Sequence, residues 1–191
     1  MKRAIIITLA VVVLMSFSME GFAADRFMLS VSANYLAPAD SQYKDIYGSS
    51  IIFPEIRAGF KLFMGMYVWG GFGFFSADGT TPILEREAKS KHTYFSGGVG
   101  YMSKILPKLS YKLEAGVFSV NYKEESMGLE YSDSAVGFRV DGGIVFNLTR
   151  IFFVEVSLGY LRASDTVIDN GDKYSVKLGG FRTGAGIGVR F

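Results

Sequence analysis

The 191-residue chain has no cysteine, one histidine and four prolines. Without thiols it can build neither a disulfide framework nor a thiolate metal centre. One imidazole, His92, is too few for most histidine-based metal sites. An excess of one charge is missing as well. Lys and Arg number 20 against 18 Asp and Glu, a formal net charge of +2, which leaves no basic footprint for nucleic acid. Beyond Phe17 no stretch stays apolar over the roughly 20 residues a helix needs to cross a bilayer. The chain therefore either remains soluble or enters a membrane as strands.

What is abundant is glycine, with 23 residues, and aromatic side chains, at 15%. The N-terminus reads as a secretory signal: Lys2 and Arg3 are the positive region, Ala4 to Phe17 the apolar run, and Gly21 and Ala23 the small residues before the cut. This predicts a cleaved signal peptide over residues 1–23 and a single domain over 24–191.

From Arg26 onward the pattern repeats every two residues, the signature of strands with different surroundings on their two faces. Phe27, Leu29, Val31, Ala33 and Tyr35 alternate with Ser30, Ser32 and Asn34 in the first strand. The second sets Ile52, Pro54, Ile56, Ala58, Phe60 and Leu62 against Phe53, Glu55, Arg57, Gly59 and Lys61, with Pro54 placed where pairing can fray. Phe63, Met64 and Gly65 fit a three-residue hairpin with glycine in the left-handed position. That turn sends Val68, Gly70, Phe72 and Phe74 of the third strand to the apolar face and Trp69, Gly71 and Gly73 inward. Further strands begin near His92, Leu109, Val136 and Phe152, and the last closes on Phe181, Thr183, Ala185, Ile187, Val189 and Phe191.

The connections alternate long and short without exception: Ala37 to Ser50, Phe63 to Gly65, Ala77 to Lys91, Ser103 to Pro107, Lys123 to Ser132, Leu148 to Arg150, then an extended excursion. Short periplasmic turns and long extracellular loops are the habit of membrane barrels, and this places both ends of the mature chain on the periplasmic side. In the last excursion Asn170 and Gly171 suit a two-residue turn. Centring the hairpin there puts Tyr160 opposite Phe181 and Val154 opposite Ile187, so the apolar faces coincide, as a one-residue slip would not allow. Both strands then run to about 19 residues where a span needs about 9 to 11, which predicts a hairpin raised above the membrane.

The inward set carries the charges Glu55, Glu114, Asp141 and Glu155, with Arg57, Lys61, Lys112, Arg139 and Arg182. Charges buried in a narrow lumen must neutralise one another. A turn at Ser126 and Met127 would set Lys112 opposite Asp141 and Glu114 opposite Arg139, with inward glycines such as Gly59, Gly116 and Gly159 making room. Eight strands enclose a lumen that side chains just fill, so these residues read as a structural plug. Aromatics gather in two bands: Tyr67, Tyr101, Tyr111, Phe146, Phe152 and Phe191 at the periplasmic side, and Tyr35, Phe74, Phe95, Tyr160 and Phe181 outside.

The signal peptide, eight alternating strands, charged lumen, raised final hairpin and terminal Phe191 resemble the small outer-membrane β-barrels of the OmpX and OmpA membrane-domain kind. That resemblance implies an all-β, eight-stranded antiparallel up-and-down transmembrane barrel in the outer membrane, monomeric and non-enzymatic, with no cofactor or metal. It implies partners in outer-membrane lipids and lipopolysaccharide, and an extracellular ligand or host surface met by the loops in the service of envelope integrity or adhesion. Ile187, Val189 and Phe191 would form the C-terminal signal for the barrel-assembly machinery. Two alternatives stay open: a narrow channel for small or hydrophobic molecules, as in OmpW-like barrels, and an outer-leaflet lipid A enzyme using His92 with Ser90 or Ser96. The second lacks an orienting acid and the His-x-Ser-Asn pattern of the deacylases. Two other motifs fail on geometry. Asp165, Asp169, Asn170 and Asp172 do not match a calcium loop, and Gly184, Gly186 and Gly188 precede no helix that could cradle phosphate.

Overall fold

A computed structural model describes residues 26–80, 87–126, 129–169 and 172–191. The predicted signal peptide therefore lies outside the described residues, as do the turn residues Asn170 and Gly171. Eight antiparallel strands follow one another round a closed barrel: β1 (Phe27–Pro38), β2 (Ile51–Lys61), β3 (Met66–Thr80), β4 (Glu87–Leu106), β5 (Leu109–Ser126), β6 (Leu129–Asn147), β7 (Phe152–Asp169) and β8 (Asp172–Arg190). One short helix, α1 (Ser41–Tyr47), stands between β1 and β2. The sheet closes where β8 pairs with β1, from Met28 opposite Arg190 to Pro38 opposite Gly180. Closure removes both sheet edges, so each strand has a hydrogen-bonded neighbour on either side.

The faces follow the period-two reading. Val31, Ile56, Val117, Val136, Val156 and Ile187 point outward and are exposed, while the residues between them are buried in the lumen. Registers also agree: Phe60 lies opposite Val68, Tyr160 opposite Phe181, Val154 opposite Ile187 and Asp169 opposite Asp172. In the β2–β3 turn Met64 and Gly65 both take positive φ, at 50° and 83°. A Cβ on Gly65 would lie 2.5 Å from the Met102 carbonyl oxygen, so glycine is required by space as well as by φ. Pro54 pairs with Ala33 of β1, and the β2–β3 ladder ends one residue before it, at Glu55 opposite Gly73. Its missing N–H thus costs no inter-strand bond.

Several boundaries differ from the sequence reading. The stretch Ala37 to Ser50 carries α1 rather than an open loop. β3 runs on to Thr80 and β4 starts at Glu87, and β5 and β6 extend to Ser126 and from Leu129. All three later outer connections are therefore raised hairpins, not the final one alone. Above the membrane no lipid enforces alternation, so the period-two signal fades while backbone pairing continues. At the other end, β4 pairs as far as Leu106 opposite Leu109, with a register irregularity at Lys104 to Leu106, leaving Pro107 and Lys108 as a two-residue turn. The β6–β7 turn is closed by Thr149, whose hydroxyl oxygen accepts from the Ile151 and Phe152 amides at 3.1 and 2.9 Å.

Candidate functional site

The lumen is layered. Its middle is a set of four acids and four bases, all buried: Glu55, Glu114, Asp141 and Glu155 with Arg57, Lys112, Arg139 and Arg182. One group of four is a ring. Arg139 reaches Glu55 at 2.6 Å and Asp141 at 2.8 Å, while Arg182 reaches the same two acids at 2.5 and 2.6 Å. The other is a chain, in which Arg57 pairs with Glu114, Lys112 lies 3.8 Å from Glu114, and Lys112 binds Glu155 at 2.5 Å. Each group holds two positive and two negative charges, so each is neutral within itself, the condition under which ions tolerate a water-poor interior.

Neutral side chains complete the layer. Tyr67 donates to Glu114 at 2.7 Å, Ser30 donates to Glu155 at 3.3 Å, and Arg139 donates to Ser96 at 2.9 Å. The Trp69 ring carries the guanidinium carbons of Arg57 and Arg139 at 4.9 and 4.7 Å from its centroid, and its indole N–H donates to the Val99 carbonyl. Glycines make the space. Gly100 lies directly opposite Tyr67, Gly98 opposite Trp69, Gly159 opposite Asp141 and Gly188 opposite Phe153. A Cβ on Gly100 would come within 2.3 Å of the Tyr67 ring, and one on Gly159 within 2.0 Å of the Asp141 carboxylate.

Two expected pairs are not formed. Glu114 lies opposite Asp141, and Lys112 opposite Gly143, because the β5–β6 ladder runs up to Ser126 opposite Leu129. The turn thus falls later than Ser126 and Met127, a shift of two residues along the register. A shift of two preserves the face of every side chain and changes only its neighbours. Lys61 sits two inward positions nearer the β2–β3 turn than Arg57 and is half-buried there. Tyr67 is not part of an outer aromatic band: it faces the lumen and is 2% exposed. The other band residues keep to the outside, with Tyr101 against Tyr111 at one end and Tyr160 against Phe181 at the other. Phe191 exchanges backbone hydrogen bonds with Phe27 at 2.8 and 3.0 Å and stacks on its ring at 5.9 Å, next to the Ile187 and Val189 pairs with β1.

Toward the hairpin end the lumen changes character. Leu36, Ile51, Phe53, Tyr94, Phe118, Val120 and Leu161 form a buried apolar cluster, against which Tyr43 of α1 and Phe75 pack. Phe53 and Phe118 belong to the same inward sets as the charges; a reading led by the charges passes over them, although alternation points them the same way. His92 belongs here too. It shares a 2.6 Å hydrogen bond with Ser90 and stacks on Phe75 at 4.3 Å, both polar groups being buried. Ser96 is engaged lower down with Arg139. The pair His92 and Ser90 therefore faces the interior, not the outer surface where lipid A would lie.

The closed eight-stranded barrel is shared in fold with solved outer-membrane proteins. OprG of Pseudomonas aeruginosa superposes with a TM-score of 0.70 at 14% identity, over 90% of this chain and 98% of that one. The fold is that of the small outer-membrane barrels. Neisserial surface protein A matches with a TM-score of 0.63 at 14% identity, over 88% and 99% of the two chains. Ail of Yersinia pestis matches with a TM-score of 0.57 at 17% identity, over 88% and 100%, and it has also been solved with the heparin analogue sucrose octasulfate. No family model matches the chain, and no curated protein matches it in sequence.

Proposed function

We propose that this outer-membrane barrel is non-enzymatic, reaches the membrane by a signal peptide cleaved after Ala23, and works through its outer hairpins rather than its lumen. The observation that carries this reading is the pair of neutral, fully ion-paired groups across the middle of the barrel. Opening a path would expose four buried acids and four buried bases to rearrangement, each pair costly to break. In this reading the plug holds the barrel rigid, and the barrel contributes to envelope integrity in contact with outer-membrane lipids and lipopolysaccharide. Ile187, Val189 and Phe191 serve as the insertion signal for the assembly machinery.

The reconstituted protein should give no discrete conductance steps in planar bilayers. Steps that vanish when an outer hairpin is shortened would instead support the narrow-channel alternative. For the outer surface, heparin is a reasonable first ligand, since Ail binds its analogue and the hairpin end here exposes Lys44, Lys89 and Lys91. Salt-sensitive retention on heparin, lost in a Lys89→Ser and Lys91→Ser double variant, would support a polyanion partner; passage straight through would remove it.

A further inference from the structure

The three short turns, at the end of the barrel away from α1, share an unusual composition. Phe63 and Met64 in the β2–β3 turn, Ile105 and Leu106 at the β4–β5 turn, and Leu148 and Ile151 in the β6–β7 turn are each more than half exposed. A rim of large apolar side chains is more than scattered surface exposure accounts for. Lys104, Lys108 and Arg150 stand exposed among them. Acids are missing: the chain has none between Glu55 and Asp78, between Glu87 and Glu114, or between Asp141 and Glu155, the three stretches that contain these turns. Glu55, Glu114, Asp141 and Glu155 are buried in the ion-paired layer, while Asp78 and Glu87 belong to the β3–β4 hairpin at the other end. That other end is mixed, exposing Asp45, Asp78 and Asp133 along with its lysines.

We propose that the rim binds anionic phospholipid of the phosphatidylglycerol class in the leaflet around it. This rests on the outer-membrane reading above, in which the short turns face the periplasmic leaflet. A soluble phosphate would meet the cations but leave the apolar tips in water. A second copy of this chain would set like charges against one another. A phospholipid answers both features, its phosphate taking the ammonium and guanidinium groups while its glycerol and upper acyl chains cover the apolar tips. The long Lys and Arg stems span the boundary between those two layers.

The rim is also preformed. The Met102 amide donates to the Gly65 carbonyl at 2.8 Å, the Asn147 amide to the Lys108 carbonyl at 2.8 Å, and the Arg190 amide to the Ile151 carbonyl at 2.9 Å. Each turn is thus tied to the strand that follows the next turn or closes the sheet, and Lys108 is held beside the turn that bears Arg150. Cations fixed in place need little ordering when a headgroup arrives.

The test is native mass spectrometry of the full mature barrel released from maltoside micelles, titrated with dioleoylphosphatidylglycerol or with dioleoylphosphatidylcholine, the fold of each variant being checked by its gel shift on heating. Phosphatidylglycerol should be retained in clear preference, and glycerol 3-phosphate at the same concentration should not displace it. Arg150→Ser should weaken retention about fivefold, the worth of one cation at an anionic surface. Replacing Lys104, Lys108 and Arg150 together by Ser should bring phosphatidylglycerol down to the level of phosphatidylcholine. Arg162→Ser makes the same change of charge at an exposed position of β7 toward the hairpin end, and should alter nothing. Equal retention of the two lipids by the parent, displacement by glycerol 3-phosphate, a triple variant that binds like the parent, or an Arg162→Ser loss as large as that of Arg150→Ser would each overturn the proposal. Binding by the purified barrel does not depend on which way it faces in the cell, so a failure here is distinct from an inverted orientation, which labelling of intact cells reads.

Discussion

Lys112 shows how much of this barrel's stability is decided one side chain at a time. Its ammonium binds Glu155 at 2.5 Å, and the other neighbour of that carboxylate is the Ser30 hydroxyl at 3.3 Å. Lys112→Met should therefore leave a buried carboxylate nearly unpaired and cost about 3–5 kcal/mol, read by urea unfolding from lipid vesicles. Adding Glu155→Gln removes the stranded charge, and the double variant should recover most of the loss. Equal and additive losses would mean that the two groups do not act as a pair. Arg139 behaves differently because it is one corner of a ring: after Arg139→Met both Glu55 and Asp141 still hold Arg182. Its loss should be smaller than that of Lys112 measured in the same way. Gly100→Ala tests the space side of the same design. The new methyl would meet the Tyr67 ring, push its hydroxyl off Glu114 and cost about 1–3 kcal/mol.

Among the elements, the β2–β3 turn is the least forgiving. Gly65 combines a φ of 83° with a backbone carbonyl 2.5 Å from where a Cβ would stand. Gly65→Ala should destabilise by about 1–3 kcal/mol through backbone strain, and slow folding if this hairpin forms early; an unchanged unfolding midpoint would contradict it. The tip of the β7–β8 hairpin is the opposite case. Its register is set along the whole ladder from Asp169 opposite Asp172 down to Phe152 opposite Val189. Replacing Asn170 and Gly171 should therefore leave membrane assembly intact, as judged by the heat-dependent gel shift. The same comparison shows what was readable. The faces of all eight strands were legible because lipid on one side and a narrow lumen on the other impose alternation. The upper reaches of β3 to β6 were not, since outside the membrane both faces meet water and the alternation carries less information.

For the whole molecule, the closed seam and the orientation are the testable properties. Phe191 and Phe27 lock the start and end of the described barrel together through two backbone hydrogen bonds. Deleting Phe191 should reduce the folded, membrane-extracted fraction of the protein, measured by fractionation. The absence of native cysteine makes orientation simple to read. A membrane-impermeant maleimide applied to intact cells should label Lys89→Cys at the hairpin end. It should spare Met64→Cys, at an 88% exposed position in the turn at the other end, until the outer membrane is permeabilised. The reverse pattern would invert the barrel.

Alternation, turn chemistry and the order of long and short connections by themselves determined the barrel, the inward and outward faces and the β7–β8 register, because these depend on neighbours in sequence and on a solvent that changes sides every residue. Only the tertiary structure decided which charges meet. Arg182 of β8 and Arg139 of β6 converge on Glu55 of β2, and Arg57 of β2 crosses to Glu114 of β5. These contacts span the lumen between strands that share no ladder. A pairing inferred from adjacent strands could therefore place each charge inside and still assign it the wrong partner. The apolar cluster arises in the same way: Leu36, Phe75, Phe118 and Leu161 come from four strands and meet only when the sheet closes.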